Sequence, residues 1–205
     1  MSYAENRVLV KVYGSLPSDS SLLVPVPTTA GRPQQRLHVL AAHALSMLSG
    51  AAQKDLKFPL LGASCWRPHR WASWEEYVKF VTTKYGSLER GRRFLAFDSP
   101  HETGLAIDFG CGGLAPVSAT IDHQKTMPLF KWLVINAWYY GWTPYMVEPW
   151  HWEFHLPLED YKSGIASTPT PAEQQTAAHP EDVCEDHSST RTPAPLTTSL
   201  PGKVT

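Results

Sequence analysis

The sequence predicts an α+β fold, a small antiparallel sheet with flanking helices, and three observations predict it. "LHVLAAHALSML" carries an apolar stripe at helical spacing. "SWEEYVKFVTTKYG" and "PLFKWLVINAWYYG" are both punctuated as helices at their two ends. "LAIDF" and "WHWEFHL" are short apolar or alternating runs of the kind that form strands.

Taken in order, residues 1–36 read as an extended strand, "RVLVKVYG", and a linker rich in Pro, Ser and Thr. The first helix follows, with Leu37, Leu40, Ala41, Ala44, Leu45 and Leu48 on one stripe. "FPLLGASCW" reads as a short buried strand leading to Arg67. In the second helix Ser73 caps, Glu76 completes a capping box and Gly86 takes the left-handed position at the end. The third starts at Pro128, a first-turn residue, and ends at Gly141. Its stripe of Phe130, Leu133, Val134, Ala137 and Trp138 should face a core. In the last strand Trp150, Trp152, Phe154 and Leu156 alternate with His151, Glu153 and His155, giving one apolar and one polar face. From 163 to 205 the composition turns to Pro, Ser and Thr without a single aromatic residue. That segment is expected to be disordered, because it buries too little apolar surface to offset its ordering entropy.

With 205 residues and a net charge of −1, the chain gives no reason to expect nucleic acid or an anionic membrane as partner. Three cysteines without a C-x-x-C pair argue against a thiolate zinc site and against a disulfide framework. The start lacks a basic segment followed by an apolar run, so no Sec signal peptide is expected, and no apolar stretch approaches the ~20 residues of a membrane span.

Two stretches carry chemistry. "HETGLAIDFG" places His101 seven residues before Asp108, and "VEPWHWEFH" holds Glu148, His151 and His155. A catalytic zinc takes three ligands from His, Asp or Glu and leaves a position open for water. On a straight strand His101 and Asp108 would face opposite ways, so residues 102–104 must turn the chain. Gly104 permits the turn, and Ala106 leaves room beside the ion. Pro149 rules out a helix around His151, so this is not the helical H-E-x-x-H arrangement. His151 is then the third ligand from a strand face. A bend at Pro149 would bring Glu148 near the water to be activated, the location a general base needs.

Together, "S-x-H-x-x-G-x-A-x-D" and "E-P-W-H" in this order resemble the zinc D-alanyl-D-alanine carboxypeptidase and dipeptidase family, which includes the vancomycin-resistance carboxypeptidases and phage endolysin peptidases. The match covers roughly residues 37–158. The resemblance implies one Zn²⁺ held by His101, Asp108 and His151, with Glu148 as catalytic base and Ser99 holding the substrate peptide. "SCWR", residues 64–67, stands where the family has "S-G-Y-R", which makes Arg67 the residue that stabilises the oxyanion. Trp150 is expected in the cleft wall, near the substrate. Cys65 and Trp66 depart from the usual Gly and Tyr. The family's glutamine on the next helix is not evident, with Arg70 or His69 as possible substitutes.

The function these residues imply is a zinc metallopeptidase acting on peptidoglycan stem peptides, with the domain bounded at 37–162. A D-alanyl-D-alanine carboxypeptidase is the first expectation. A peptidoglycan endopeptidase, delivered to the wall by a route other than Sec as a phage lysin or secreted effector, is the second. A non-catalytic wall-binding module is the alternative of another class. His155 is left open between a partner of the metal site and polar surface.

Overall fold

A computed structural model describes residues 7–110 and 114–178. Cys111 and Cys184 therefore lie outside the described residues. The sheet at the centre has four antiparallel strands, β3 (Gly62–Ser64), β4 (Ala106–Phe109), β6 (His151–Phe154) and β5 (Trp142–Pro144), in that spatial order. A separate hairpin joins β1 (Leu23–Val26) to β2 (Gln35–His38). The α+β class is as the sequence predicts.

The first helix begins two residues later than its stripe. Leu37 and His38 belong to β2, and α2 runs Val39–Leu56. His38 makes the switch from strand to helix: its Nδ1 accepts from the Leu40 amide at 3.3 Å. Its Nε2 lies 2.9 Å from the Tyr161 carbonyl oxygen. Ala41, Ala44, Leu45 and Leu48 are buried as the stripe requires. Each leucine so buried contributes about 2 kcal/mol. They pack on the apolar face of the sheet, where Ile107, Phe109, Trp152 and Phe154 meet Leu133 and Trp142.

The helix α3 (Trp74–Tyr85) has the ends read from the sequence. Ser73 accepts from the Glu76 amide at 3.2 Å, and Gly86 sits at φ +84°. The Glu76 carboxylate accepts instead from Ala72, one residue before the cap. This helix, with α4 (Leu88–Gly91), carries a second, smaller core of Trp71, Tyr77 and Val81.

Four expectations are corrected. "RVLVKVYG" is not a strand: Val10–Tyr13 form a single helical turn, α1, and the Val8 amide is spent on the Glu153 side chain rather than on a neighbouring strand. The third helix is shorter than its pattern. After the short α5 (Ile121–Thr126), α6 spans Pro128–Asn136 and tightens into a 3-10 turn, Ala137–Tyr140, before Gly141. Trp138, in the tightened turn, is exposed, as is Val134 on the regular part of α6, while Leu129, Phe130, Leu133 and Ala137 face inward. Both faces of β6 are buried, because its polar face is covered by the site described below. Finally, residues beyond α7 (Leu158–Ser163) are not all without structure: α8 (Pro171–Ala178) forms, with Thr170 and Glu173 bonding reciprocally at its start. The rest of the segment, 179–205, lies outside the described residues.

Gly104 has φ +72°, and a Cβ there would lie 2.8 Å from the His38 amide nitrogen, a backbone atom with little freedom to move. Gly104→Ala is expected to cost at least about 2 kcal/mol, the left-handed penalty plus the clash, read as a fall in the urea midpoint.

Candidate metal centre

The site grows from one register. Asp108 on β4 stands directly opposite His151 on β6, and Ala106 opposite Glu153, so all four side chains share the face turned away from the core. His101 reaches that face from a 3-10 turn, Pro100–Thr103, which Gly104 ends and feeds into β4. The turn resolves the parity problem that the spacing of seven poses.

Hydrogen bonds fix which nitrogen of each histidine is available. His101 Nδ1 lies 2.7 Å from the Cys65 carbonyl oxygen, which can only accept, so Nδ1 carries the proton and Nε2 the lone pair. His151 Nε2 lies 3.1 Å from Glu153 Oε1, which leaves Nδ1 facing the other two residues. His101 Nε2, His151 Nδ1 and Asp108 Oδ1 then form a triangle with edges of 3.2, 3.0 and 3.3 Å. Ligand bonds of about 2.0–2.2 Å in a tetrahedron put donor atoms roughly 3.3 Å apart, so the buried triad fits one zinc ion. Each histidine also has an outer partner on its other nitrogen, as metal-binding imidazoles characteristically do.

The electrostatics follow from the same contacts. Burial, and then the charge of Arg67, lower the His101 pKa to about 4 against the pull of Asp108. Burial would lower His151 too, but its hydrogen bonds to Asp108 and Glu153 outweigh it and raise that group to about 10. Burial likewise raises the Asp108 carboxyl, and the facing imidazoles of His101 and His151 override it, holding it far below the usual carboxylate range. Three buried residues thus balance one another until a cation takes the imidazolium's place.

Glu148 is positioned by a loop closed on itself. The Glu148 amide donates to the Tyr145 carbonyl, the His151 amide to the Glu148 carbonyl, and the Tyr145 amide to the His151 carbonyl, each at 2.9 Å. Its side chain lines a cleft shared with His101, His151, Ser99 and Arg67. Burial first, and then the Asp108 charge, raise its pKa to about 7, with His151 and Arg67 opposing.

Ser99 also lines the cleft, and its amide donates to Glu102 Oε1 at 2.9 Å. Trp150 does not join them. It is buried and outside the cleft lining, and its carbonyl accepts from Phe109, so the expectation that it meets substrate is not met. His155 bonds Thr143 at 2.6 Å, away from the triad, and Cys65 serves through its backbone carbonyl rather than its thiol. His69 is taken up by Glu102 at 3.1 Å, while Arg70 stacks over Trp71 and Phe80.

Glu153 is the residue whose role the sequence did not disclose. It is fully buried, holds His151 with one oxygen and accepts from the Val8 amide at 2.7 Å with the other. Its place two residues past His151 on one strand face was the available signal. Glu153→Gln is expected to weaken zinc binding about 10- to 100-fold in chelator competition, with the fold retained.

No family model matches the chain, and no curated protein does. Among solved structures, the LdcB LD-carboxypeptidase superposes with a TM-score of 0.50, covering 74% of this chain and 82% of that one at 24% identity. The chain has the fold of LdcB. VanYB in complex with D-Alanine-D-Alanine aligns at 0.45 with 19% identity, covering 79% of this chain and 92% of its own. A mutant of the VanY D,D-pentapeptidase in complex with Zn(II) aligns at 0.45 with 19% identity, covering 74% and 90%. Among the described residues, no helix is long and apolar enough to cross a membrane.

Proposed function

We propose that the chain is a zinc-dependent peptidase that hydrolyses peptide bonds in peptidoglycan stems, in the manner of a D-alanyl-D-alanine carboxypeptidase. The observation that carries this reading is the buried His101–Asp108–His151 triangle with Glu148 and Arg67 lining the same cleft. The fold supports it, since LdcB is an LD-carboxypeptidase studied for peptidoglycan recognition.

Zinc held by the triad would supply Lewis acidity toward a water and the scissile carbonyl. The rest is the work of the chain. Glu148 takes the proton of the attacking water on a carboxylate oxygen and returns it to the leaving amine nitrogen. Arg67 offers its guanidinium to the carbonyl oxygen as negative charge develops there. Ser99, on the rim beside His101, offers a hydroxyl to the substrate's backbone. Glu153 and the Cys65 carbonyl hold the two imidazoles still.

One observation favours cleavage within a longer peptide. Arg67 lines a second hollow as well, with Asp108 and Phe109, which offers a substrate chain room beyond the first cleft. Mass spectrometry of purified wall peptides after incubation with the zinc-loaded protein, beside Glu148→Ala, separates the readings. Loss of one terminal alanine marks a carboxypeptidase, and a cut inside the stem or cross-link marks an endopeptidase. No change with either protein would remove the peptidase reading and leave a wall-binding module.

A further inference from the structure

Five of the nine arginines in the sequence, Arg7, Arg67, Arg70, Arg92 and Arg93, line the cleft that holds Glu148, and not one lysine does. A chain with a net charge of −1 has therefore gathered its guanidinium groups at one place. Two of the three carboxylates in the same lining are already engaged: Glu102 by Ser15, His69 and Ser99, and Glu153 by His151 and Val8. Among the described residues, Arg67, Arg70, Arg92 and Arg93 form no ion pair. Exposed guanidinium groups gathered along one cleft without an ion-pair partner point to a partner that arrives with the substrate. The choice of arginine over lysine points to planar carboxylates, which a guanidinium grips with two parallel hydrogen bonds.

The fold takes trouble to hold this wall. Gly91 ends α4 against α3, where a Cβ would lie 2.2 Å from Val81, so only glycine lets the two helices approach. Phe94 then stacks on Tyr85 and Leu95 and Phe97 pack on the second core, all three also lining the cleft. That leaves Arg92 and Arg93 exposed on the cleft side, while the Arg93 carbonyl accepts from the Tyr145 hydroxyl at 3.0 Å and ties the wall to the loop carrying Glu148.

We propose that the cleft selects stem peptides whose own carboxylates are free, with Arg92 and Arg93 reading a carboxylate of the stem away from the scissile bond. The proposal rests on the peptidase reading and narrows it, since stems occur with these carboxylates either free or amidated. Amidation replaces one carboxylate oxygen by an NH2 group and removes the charge, so the wall discriminates between them with little change of shape.

The test uses two synthetic stem peptides ending in D-alanyl-D-alanine. One carries γ-linked D-glutamate and diaminopimelate with free carboxylates, and the other has both amidated. Titration calorimetry with zinc-loaded Glu148→Gln reads binding without turnover, and the wild type reads kcat/KM. The free-acid peptide should bind about 10- to 100-fold more tightly, the range of a charge-assisted pair made or lost. That preference should shrink in 0.5 M salt and collapse in Arg92→Gln/Arg93→Gln, with Arg92→Lys/Arg93→Lys restoring part of it. Both arginines are exposed, so these variants should fold, and near-ultraviolet circular dichroism checks that they do. Equal affinity for the two peptides, with both cleaved, would overturn the carboxylate inference and leave the peptidase reading intact. Failure to bind or cleave either would remove both. A preference that survives in the double glutamine variant would show that other groups read the carboxylates, and would overturn the assignment to Arg92 and Arg93.

Discussion

Glu148→Gln should reduce kcat/KM for stem-peptide hydrolysis about 10²- to 10⁴-fold while zinc stays bound at one ion per chain. The same change should stabilise the metal-free protein. The carboxyl has a folded pKa of about 7, raised by burial and by Asp108, against an unfolded value near 4.5. Between those values the folded state binds more protons than the unfolded, so stability is highest below about pH 4.5 and declines as pH rises toward 7. Glutamine removes that decline. Metal-free Glu148→Gln should exceed the wild type at pH 8 by on the order of 1–2 kcal/mol, discounted for the solvent that reaches this partly exposed group, and match it at pH 4. Differential scanning calorimetry at the two pH values decides it. A variant no more stable at pH 8 would show that the carboxyl is not strained by its surroundings. In the loaded enzyme a nearby dication draws the same pKa downward, so kcat/KM should rise with pH along a limb below 7.

Asp108→Ala should lose the metal itself. Two neutral imidazoles remain, one of them still held by Glu153, and the anionic donor that offsets a dication is gone. Zinc content after dialysis against micromolar metal should fall far below one per chain, and hydrolysis should fall at least about 10³-fold. The structural counterpart is as informative. Chelator should lower the wild-type Tm, because zinc that binds only the folded state adds its binding free energy to stability, and should leave the Asp108→Ala Tm unmoved. Equal chelator sensitivity in the two proteins would place the ion elsewhere.

How much of this was legible beforehand depended on whether a residue's role is local. His101, Asp108 and His151 could be paired because strand parity and one glycine decide which way they face, and Gly104 does turn the chain as that argument needs. Ser73, Gly86 and Pro128 could be read because caps act within four residues. Glu153 could not, since what makes it an anchor is burial beneath an N-terminal segment far away in sequence. The same distance misled the reading of "RVLVKVYG", whose β-branched residues have strand propensity but no strand to pair with. Trp150 and Trp138 failed for a subtler reason. Alternation and periodicity tell which residues share a face, but a bend at Pro149 or a tightened last turn after Asn136 changes what that face meets.

The bond from the Val8 amide to Glu153 has a temporal meaning. It joins positions 145 residues apart, and the carboxylate it steadies is the one that fixes the ligand His151. During synthesis from the N-terminus, the opening segment must wait for nearly the whole folded unit to leave the ribosome before its counterpart exists. A chain interrupted anywhere before residue 151 carries at most two of the three metal donors and no finished centre. No chain still short of residue 151 presents the complete triad, and ion capture belongs to the last stage of folding.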